Sequence, residues 1–369
     1  MTSNNRCRTI EFYLTWDYCF AVMLFPFSLL AKDTGKAKPI HKKQRQVYIS
    51  HFENVLGTSM ELKITSSSEN DASVAESAAL QEIQRTAKIL SAYDPNSEFS
   101  KWFATMNQPV QVSPELFEVL DLFDHWRIKS NGALDASAEV IGKLWKQAAL
   151  KQQLPTQEQV TFAIAEIKQT HWKLDAATHT ATHLSKAPLM LNSFVKSYII
   201  KKAAAMAMTQ PNIDAVVVNI GGDLVIAGSQ QESVDIKNPV ADAENDAPLD
   251  RVQVGNRAVA TSGNYRRGEM INGKWYSHIV DPRTGTPADN IISATVVAPN
   301  ATDAGALATL FNILKTEESI QMAASIPGVE YLIITKTGDK IESNGWKKLE
   351  SNSKIPAPKR TEDKRVDKQ

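Results

Sequence analysis

Apolar positions along this chain recur with two periods, and the switches between them mark its elements. Between residues 47 and 65 apolar and polar residues alternate in places, as in E-L-K-I-T, which predicts a strand. Over residues 71–93 the apolar Val74, Ala78, Ile83, Ala87 and Leu90 fall at helical spacing, and S-A-Y-D-P-N-S-E ends that helix with turn chemistry. The same spacing predicts helices over 114–129, 140–150, 157–167 and the alanine-rich 194–208. A-V-V-V-N-I at 215–220 predicts a buried strand, and G-G-D returns it into L-V-I-A-G as a hairpin. A strand over 291–298, a helix over 304–314 and strands over 328–334 and 340–343 complete the pattern. Helices gather early and strands late, which predicts an α+β fold.

Composition bounds what such a fold does. The chain has 369 residues, 43% hydrophobic and 22% charged, enough for a sizeable core in one large domain or two ordinary ones. Lys+Arg and Asp+Glu are both 41, so nothing points to a nucleic-acid partner. Cys7 and Cys19 lie in the first twenty residues and the rest has no cysteine, which removes a thiolate metal site, a cysteine nucleophile and a disulfide framework from the body.

Residues 20–31 read F-A-V-M-L-F-P-F-S-L-L-A, an apolar run too short to span a bilayer comfortably. Arg6 and Arg8 precede it, and Lys32 and Asp33 follow. This resembles a secretory signal, with Glu11 and Asp17 as departures. The predicted organisation is a leader at 1–31, a polar linker at 32–46, one domain at 47–350 and a disordered tail at 351–369. The leader predicts an exported protein, periplasmic or at the outer face of the inner membrane, with membrane association through the N-terminal segment as one outcome.

Five segments could carry chemistry. A-T-S-G-N-Y-R-R, starting at Ala260, leads to S-H-I-V-D-P-R-T-G-T-P, ending at Pro287. Thr261 and Ser262 offer hydroxyls and free amides that cradle an anion, and Arg266, Arg267, His278 and Arg283 add donors suited to phosphate. N-I-G-G-D-L-V-I-A-G allows close backbone approach of a ligand, or simply a tight hairpin. In N-G-A-L-D, Asp135 is either a helix cap or an acceptor for a base or ribose. In L-M-L-N-S-F-V-K-S-Y, Asn192 and Ser193 could cap a helix whose first turn carries Lys196, a phosphate ligand or a solvated lysine. Thr302 and Asp303 open another helix, and Asp303 and Thr309 are oxygen ligands of the kind Mg²⁺ accepts.

In this order the segments resemble the FAD:protein FMN transferase, or ApbE-like, family over roughly residues 47–346. L-G-T-S near Gly57, S-A-Y-D-P-N-S-E, G-A-L-D, K-S-Y, N-I-G-G-D-L and the long 260–287 block carry the resemblance. It implies an exported protein with a ligand groove between a mixed or antiparallel sheet and flanking helices. It also implies Mg²⁺-dependent cleavage of the FAD pyrophosphate, transfer of FMN to a Thr or Ser of an exported acceptor protein, and release of AMP. By resemblance Leu56, Tyr93, Ala133, Leu134, Asp135 and Lys196 would line the flavin or adenine site. Val280 lies in the matching block, and His278 and Asp281 would sit near the reacting phosphates. Ser193 (through its carbonyl), the start of the helix at Ala304, and Thr309 would hold the metal, with Asp303 as the substitute carboxylate. Four positions depart from the pattern. Gly305 stands where the family usually has an aspartate, Met190 replaces a ligand-recognising aspartate, and Ser197 and Glu139 replace glycines. These leave a second reading, a non-catalytic FAD-binding protein with a degenerate metal site.

Overall fold

The computed structural model describes residues 4–7, 45–240, 247–265 and 267–350. The predicted leader, apart from residues 4–7, nearly all of the linker, the tail and Arg266 lie outside the described residues. Among the described residues no helix is long and apolar enough to cross a membrane.

One nine-stranded sheet organises the chain. Its strands are β1 (Asn4–Cys7), β2 (Gln46–Val55), β3 (Thr58–Ser66), β4 (Ile213–Ile220), β5 (Asp223–Gly228), β6 (Ala258–Gly263), β7 (Ile291–Ala298), β8 (Glu330–Thr335) and β9 (Lys340–Glu342). They lie side by side in chain order. Every neighbouring pair is antiparallel except β1 and β2. The single strand expected over 47–65 is therefore two strands. Leu56 (φ 51°) and Gly57 (φ 79°) both adopt left-handed backbone, the geometry of a two-residue hairpin turn.

Between β3 and β4 the chain makes its long helical excursion. It comprises α1 (Glu69–Leu90), α2 (Glu98–Phe103), α3 (Pro114–Lys129), α4 (Glu139–Lys151), α5 (Gln157–Ile167) and α6 (Val195–Met208). A three-stranded ribbon, Pro109–Gln111, Trp172–Asp175 and Thr180–His183, braces it. α7 (Ala301–Ile313) and α8 (Thr316–Ala324) follow β7. Side chains of α1, α6 and α7 join Met60, Leu62, Ile64, Val216, Val218, Ile220, Ala294 and Val296 in the main core.

The residues between those on β4 to β8 face the other way. Val217, Leu224, Ile226, Val259, Val297, Leu332 and Ile334 form a second core with Val234, Ile236, Val252 and Val254. Those four belong to an added hairpin, Gln231–Ile236 with Asp250–Gly255, which the apolar pattern did not predict. Trp346, fully buried, seals that layer and donates from Nε1 to Asp250 Oδ2 at 2.8 Å. Apolar layers on both faces explain why β4 reads as a continuous run rather than an alternation.

Two helix starts differ from expectation. α7 begins at Ala301, because Asn300 Oδ1 accepts from the Thr302 amide at 3.1 Å. Phe194 occupies the N-cap of α6 without a side-chain bond, so neither Asn192 nor Ser193 caps it. Asn192 instead donates to the Tyr93 hydroxyl at 2.8 Å.

Candidate functional site

Three of the segments singled out in sequence lie at one end of the sheet. That end carries the Leu56–Gly57 turn, the Gly221–Gly222 turn, the end of β6 and the start of β7. A Cβ on Gly221 would meet Thr58 Cγ2 at 2.8 Å, so the two turns touch and only glycine fits there.

Asp223, the first residue of β5, is the centre of the arrangement. It is 8% exposed. Its Oδ2 lies 3.0 Å from Lys196 Nζ and 3.5 Å from Ser197 Oγ, and its Oδ1 accepts from the Thr261 amide at 3.4 Å. Burial pushes its carboxyl above the usual range, against the pull of Lys196 and of these donors. The sequence reading missed Asp223. Its signal was an acidic residue between two glycines and an apolar strand, where a surface turn would leave it in water.

Lys196 runs from this buried anchor to partly exposed space. Thr261 turns its hydroxyl to Thr295 Oγ1 at 2.9 Å, and the Ser262 carbonyl accepts from Asn312 Nδ2 at 3.2 Å. The Thr261 amide and hydroxyl and the Ser262 carbonyl are therefore all taken by the protein's own groups.

Leu56 is about one-third exposed on its turn, and Tyr93 is 75% exposed. Ala133 and Leu134 are buried, and the Leu134 amide donates to Ser130 Oγ at 3.0 Å. Asp135 is a cap. Its Oδ1 accepts from the Ser137 amide at 2.8 Å and hydroxyl at 2.6 Å, and its Oδ2 pairs with Arg127 Nε at 2.8 Å. A carboxylate so occupied shapes the loop rather than reaching for a ribose. The Met190 amide donates to the Ala136 carbonyl at 2.8 Å, which ties this loop to the stretch before α6.

The 278–287 turn closes the same region. Val280 packs with Ile141, Ala163 and Ile167 of α4 and α5, and Trp145 Nε1 donates to the Gly285 carbonyl at 2.9 Å. Asp281 is nearly buried and takes Arg283 on both oxygens, at 3.0 and 2.9 Å, as well as the Arg283 amide at 2.9 Å. Its work is to hold the turn and aim Arg283, whose Cγ passes within 3.8 Å of where a Gly132 Cβ would stand.

His278 Nδ1 donates to the Arg267 carbonyl at 2.9 Å, which leaves Nε2 as the lone-pair nitrogen. His278 is exposed at the surface, and partial desolvation holds its imidazole below the ordinary value, opposed by the bond to the Arg267 carbonyl and aided by the charge of Arg267. A neutral imidazole with one nitrogen fixed is what a general base requires. Beside this turn Asn264, Tyr265, Trp275, Asp289, Ile292 and Lys336 line an open cavity of about 270 Å³.

The proposed metal ligands divide. Thr309 Oγ1 donates to the Ser193 carbonyl at 3.3 Å and to the Gly305 carbonyl at 3.2 Å, so these three meet where α6 and α7 cross. Asp303 lies six residues before Thr309, about 120° around the helix from it. Burial raises its carboxyl, against the pull of Lys129, Lys201 and His125. Among the described residues no three His, Cys, Asp or Glu side chains gather as metal ligands.

This fold has counterparts among known proteins. The profile of the ApbE family matches residues 56–333, and the chain belongs to that family. The FAD:protein FMN transferase of Escherichia coli K12 is 28% identical over 267 residues, covering 69% of this chain and 75% of that protein. Its counterpart in Vibrio cholerae is 27% identical over 328 residues, covering 85% and 93%. The crystal structure of the ApbE protein of Thermotoga maritima superposes with a TM-score of 0.72 at 26% identity, over 83% of this chain and all of that one. The mixture of helices with an antiparallel sheet is that of these structures, as the α+β expectation required.

Proposed function

We propose that this chain is an FAD:protein FMN transferase that joins FMN to a Thr or Ser hydroxyl of an exported acceptor protein. The observation that carries the reading is the Lys196–Asp223 pair, at 3.0 Å, next to the Gly221–Gly222 turn and the Thr261 backbone. Pyrophosphate cleavage needs positive charge and N–H donors at the phosphates, together with a base for the attacking hydroxyl. Lys196 supplies the first, and Arg283 adds N–H donors. His278 Nε2 takes the proton of the acceptor hydroxyl as its oxygen bonds the flavin-side phosphorus. The bond from that phosphorus to the bridging oxygen breaks, and AMP leaves with the electron pair. Asp281 and Asp135 act as positioning residues, through Arg283 and Arg127.

Mg²⁺ belongs to the family pattern, but the residues here do not fit a tight site for it. The Ser193 carbonyl and Thr309 hydroxyl are neutral, Gly305 brings no side chain, and Asp303 lies around the helix. No step above passes through a metal ion. Export rests on the apolar run at 20–31 and the cysteine-free body; these same features support a periplasmic location or the outer face of the inner membrane.

The test is covalent labelling. The full chain is incubated with FAD and an unflavinylated acceptor domain whose linking residue is threonine, and flavin fluorescence is read on a denaturing gel. A fluorescent acceptor band, absent when that threonine is alanine, is expected. No band, where the Vibrio cholerae relative labels the same acceptor, overturns the transferase reading. If FAD still binds stoichiometrically, the result favours the second reading, an FAD-binding protein, for which Gly305 and Met190 speak.

A further inference from the structure

We propose that Ser197 and Gly305 act as a pair that closes the α6–α7 crossing to a carboxylate, so that Lys196, not a divalent cation, supplies the site's fixed positive charge. A Cβ placed on Gly305 would lie 2.6 Å from Ser197 Oγ, 3.2 Å from Ser197 Cβ and 3.3 Å from Phe194 Cα. The hydroxyl can rotate, but the other two contacts, Ser197 Cβ and the backbone of the N-cap Phe194, cannot move without shifting the start of α6. Any side chain at 305 is thus resisted while Ser197 is present, and an acidic one could not extend toward Thr309 without displacing it.

Residue 305 is one helical turn before Thr309, on the same face, and its carbonyl already accepts from the Thr309 hydroxyl. It is the position from which a carboxylate would join the Thr309 hydroxyl and the Ser193 carbonyl. Hard divalent cations bind in proportion to the anionic oxygens offered, and this triangle offers neutral oxygens. The carboxylate of Asp223 is 3.5 Å from Ser197 Oγ but is held at 3.0 Å by Lys196, which turns it away from a metal. Ser197 thus has two effects: it fills the space beside Gly305 and extends the hydrogen-bond network that fixes the Lys196–Asp223 pair.

The inference concerns the site of the proposed transferase, but its test needs neither FAD turnover nor an acceptor. Free Mn²⁺ is followed by electron paramagnetic resonance during titration of the full chain. The wild type, Gly305→Asp, Ser197→Gly and the double variant Ser197→Gly/Gly305→Asp are compared, with melting curves to show that each is folded. The wild type and both single variants are expected to show only weak, unsaturated binding. The double variant is expected to gain one saturable site at least about tenfold tighter. One saturable equivalent on the wild type overturns the proposal, and so does a gain in Gly305→Asp alone equal to that of the double variant. A second measurement stands if the double variant fails to fold. FAD binding by the wild type, read as flavin fluorescence quenching, is expected to be unchanged by EDTA and at least about tenfold weaker in Lys196→Met. Loss of FAD binding in EDTA overturns the proposal, and so does undiminished FAD binding by Lys196→Met.

Discussion

At the scale of single residues, one bond can fix a side chain and still leave its reactive atom free. His278 shows this most directly. Its Nδ1 is bound to the Arg267 carbonyl, and its pKa is held below 6.5. Two consequences follow. Transferase activity should rise with pH through a value below 6.5 and then stay flat, since the neutral ring is the base. Glutamine in place of His278 should remove that limb and cost roughly 10²–10⁴-fold in rate. A pH–rate profile of acceptor labelling checks both. Stability moves in the same direction. The unfolded chain takes up a proton on this histidine near its ordinary value and the folded chain resists it. Folding stability is therefore lost as pH falls below that value, and the loss levels off below the folded pKa. The loss should vanish in the glutamine variant, which urea unfolding at several pH values would reveal.

At the scale of elements, turns decide where the chemistry stands. The Gly221–Gly222 turn sets Asp223 at the first position of β5, pointing into the core rather than into water. The two glycines are not equivalent. Gly222 has φ +92° and open space around its Cβ position, whereas Gly221 has φ +58° and Thr58 against it. Alanine at 222 should cost roughly 1–2 kcal/mol for left-handed backbone alone. Alanine at 221 should cost more, and should weaken FAD binding by moving the Leu56–Gly57 turn. A Thr58→Ser background removes Cγ2 and should recover part of the loss at 221 and none at 222. Chemical denaturation of the four combinations measures that coupling.

At the scale of the whole molecule, a sheet covered on both faces makes the site rigid. Strands β4, β5 and β6 are gripped by helices on one side and by the added hairpin with Trp346 on the other. Trp346 is far along the chain from every residue of the site, yet it completes the layer beneath them. Replacing it with alanine should cost about 3–5 kcal/mol. Thermal unfolding would register this as a large fall in Tm. Below the transition the variant should still bind FAD, because no site residue touches Trp346. Loss of FAD binding in the folded variant would show that the second core also sets the site's geometry.

Much of this molecule was readable from residue order. The helical spacing at 114–129 and 157–167 and the apolar run at 291–298 gave elements with those limits, because local periodicity and turn chemistry act over a few residues. The family pattern was equally local, carried by short runs such as G-A-L-D and S-H-I-V-D-P-R-T-G. Tertiary structure decided which atoms those runs present. Asp135 and Asp281 looked like ligand groups and are held by Arg127 and Arg283. Asp303 looked like a metal ligand and stands on another face of α7 from Thr309. Asp223 went unremarked because its burial depends on β6 and α6, remote in sequence. Ser197 and Gly305 could each be seen to depart from the family, but not to be in contact. Periodicity is a property of neighbours along the chain, whereas an occupied carboxylate or a filled Cβ position belongs to neighbours in space.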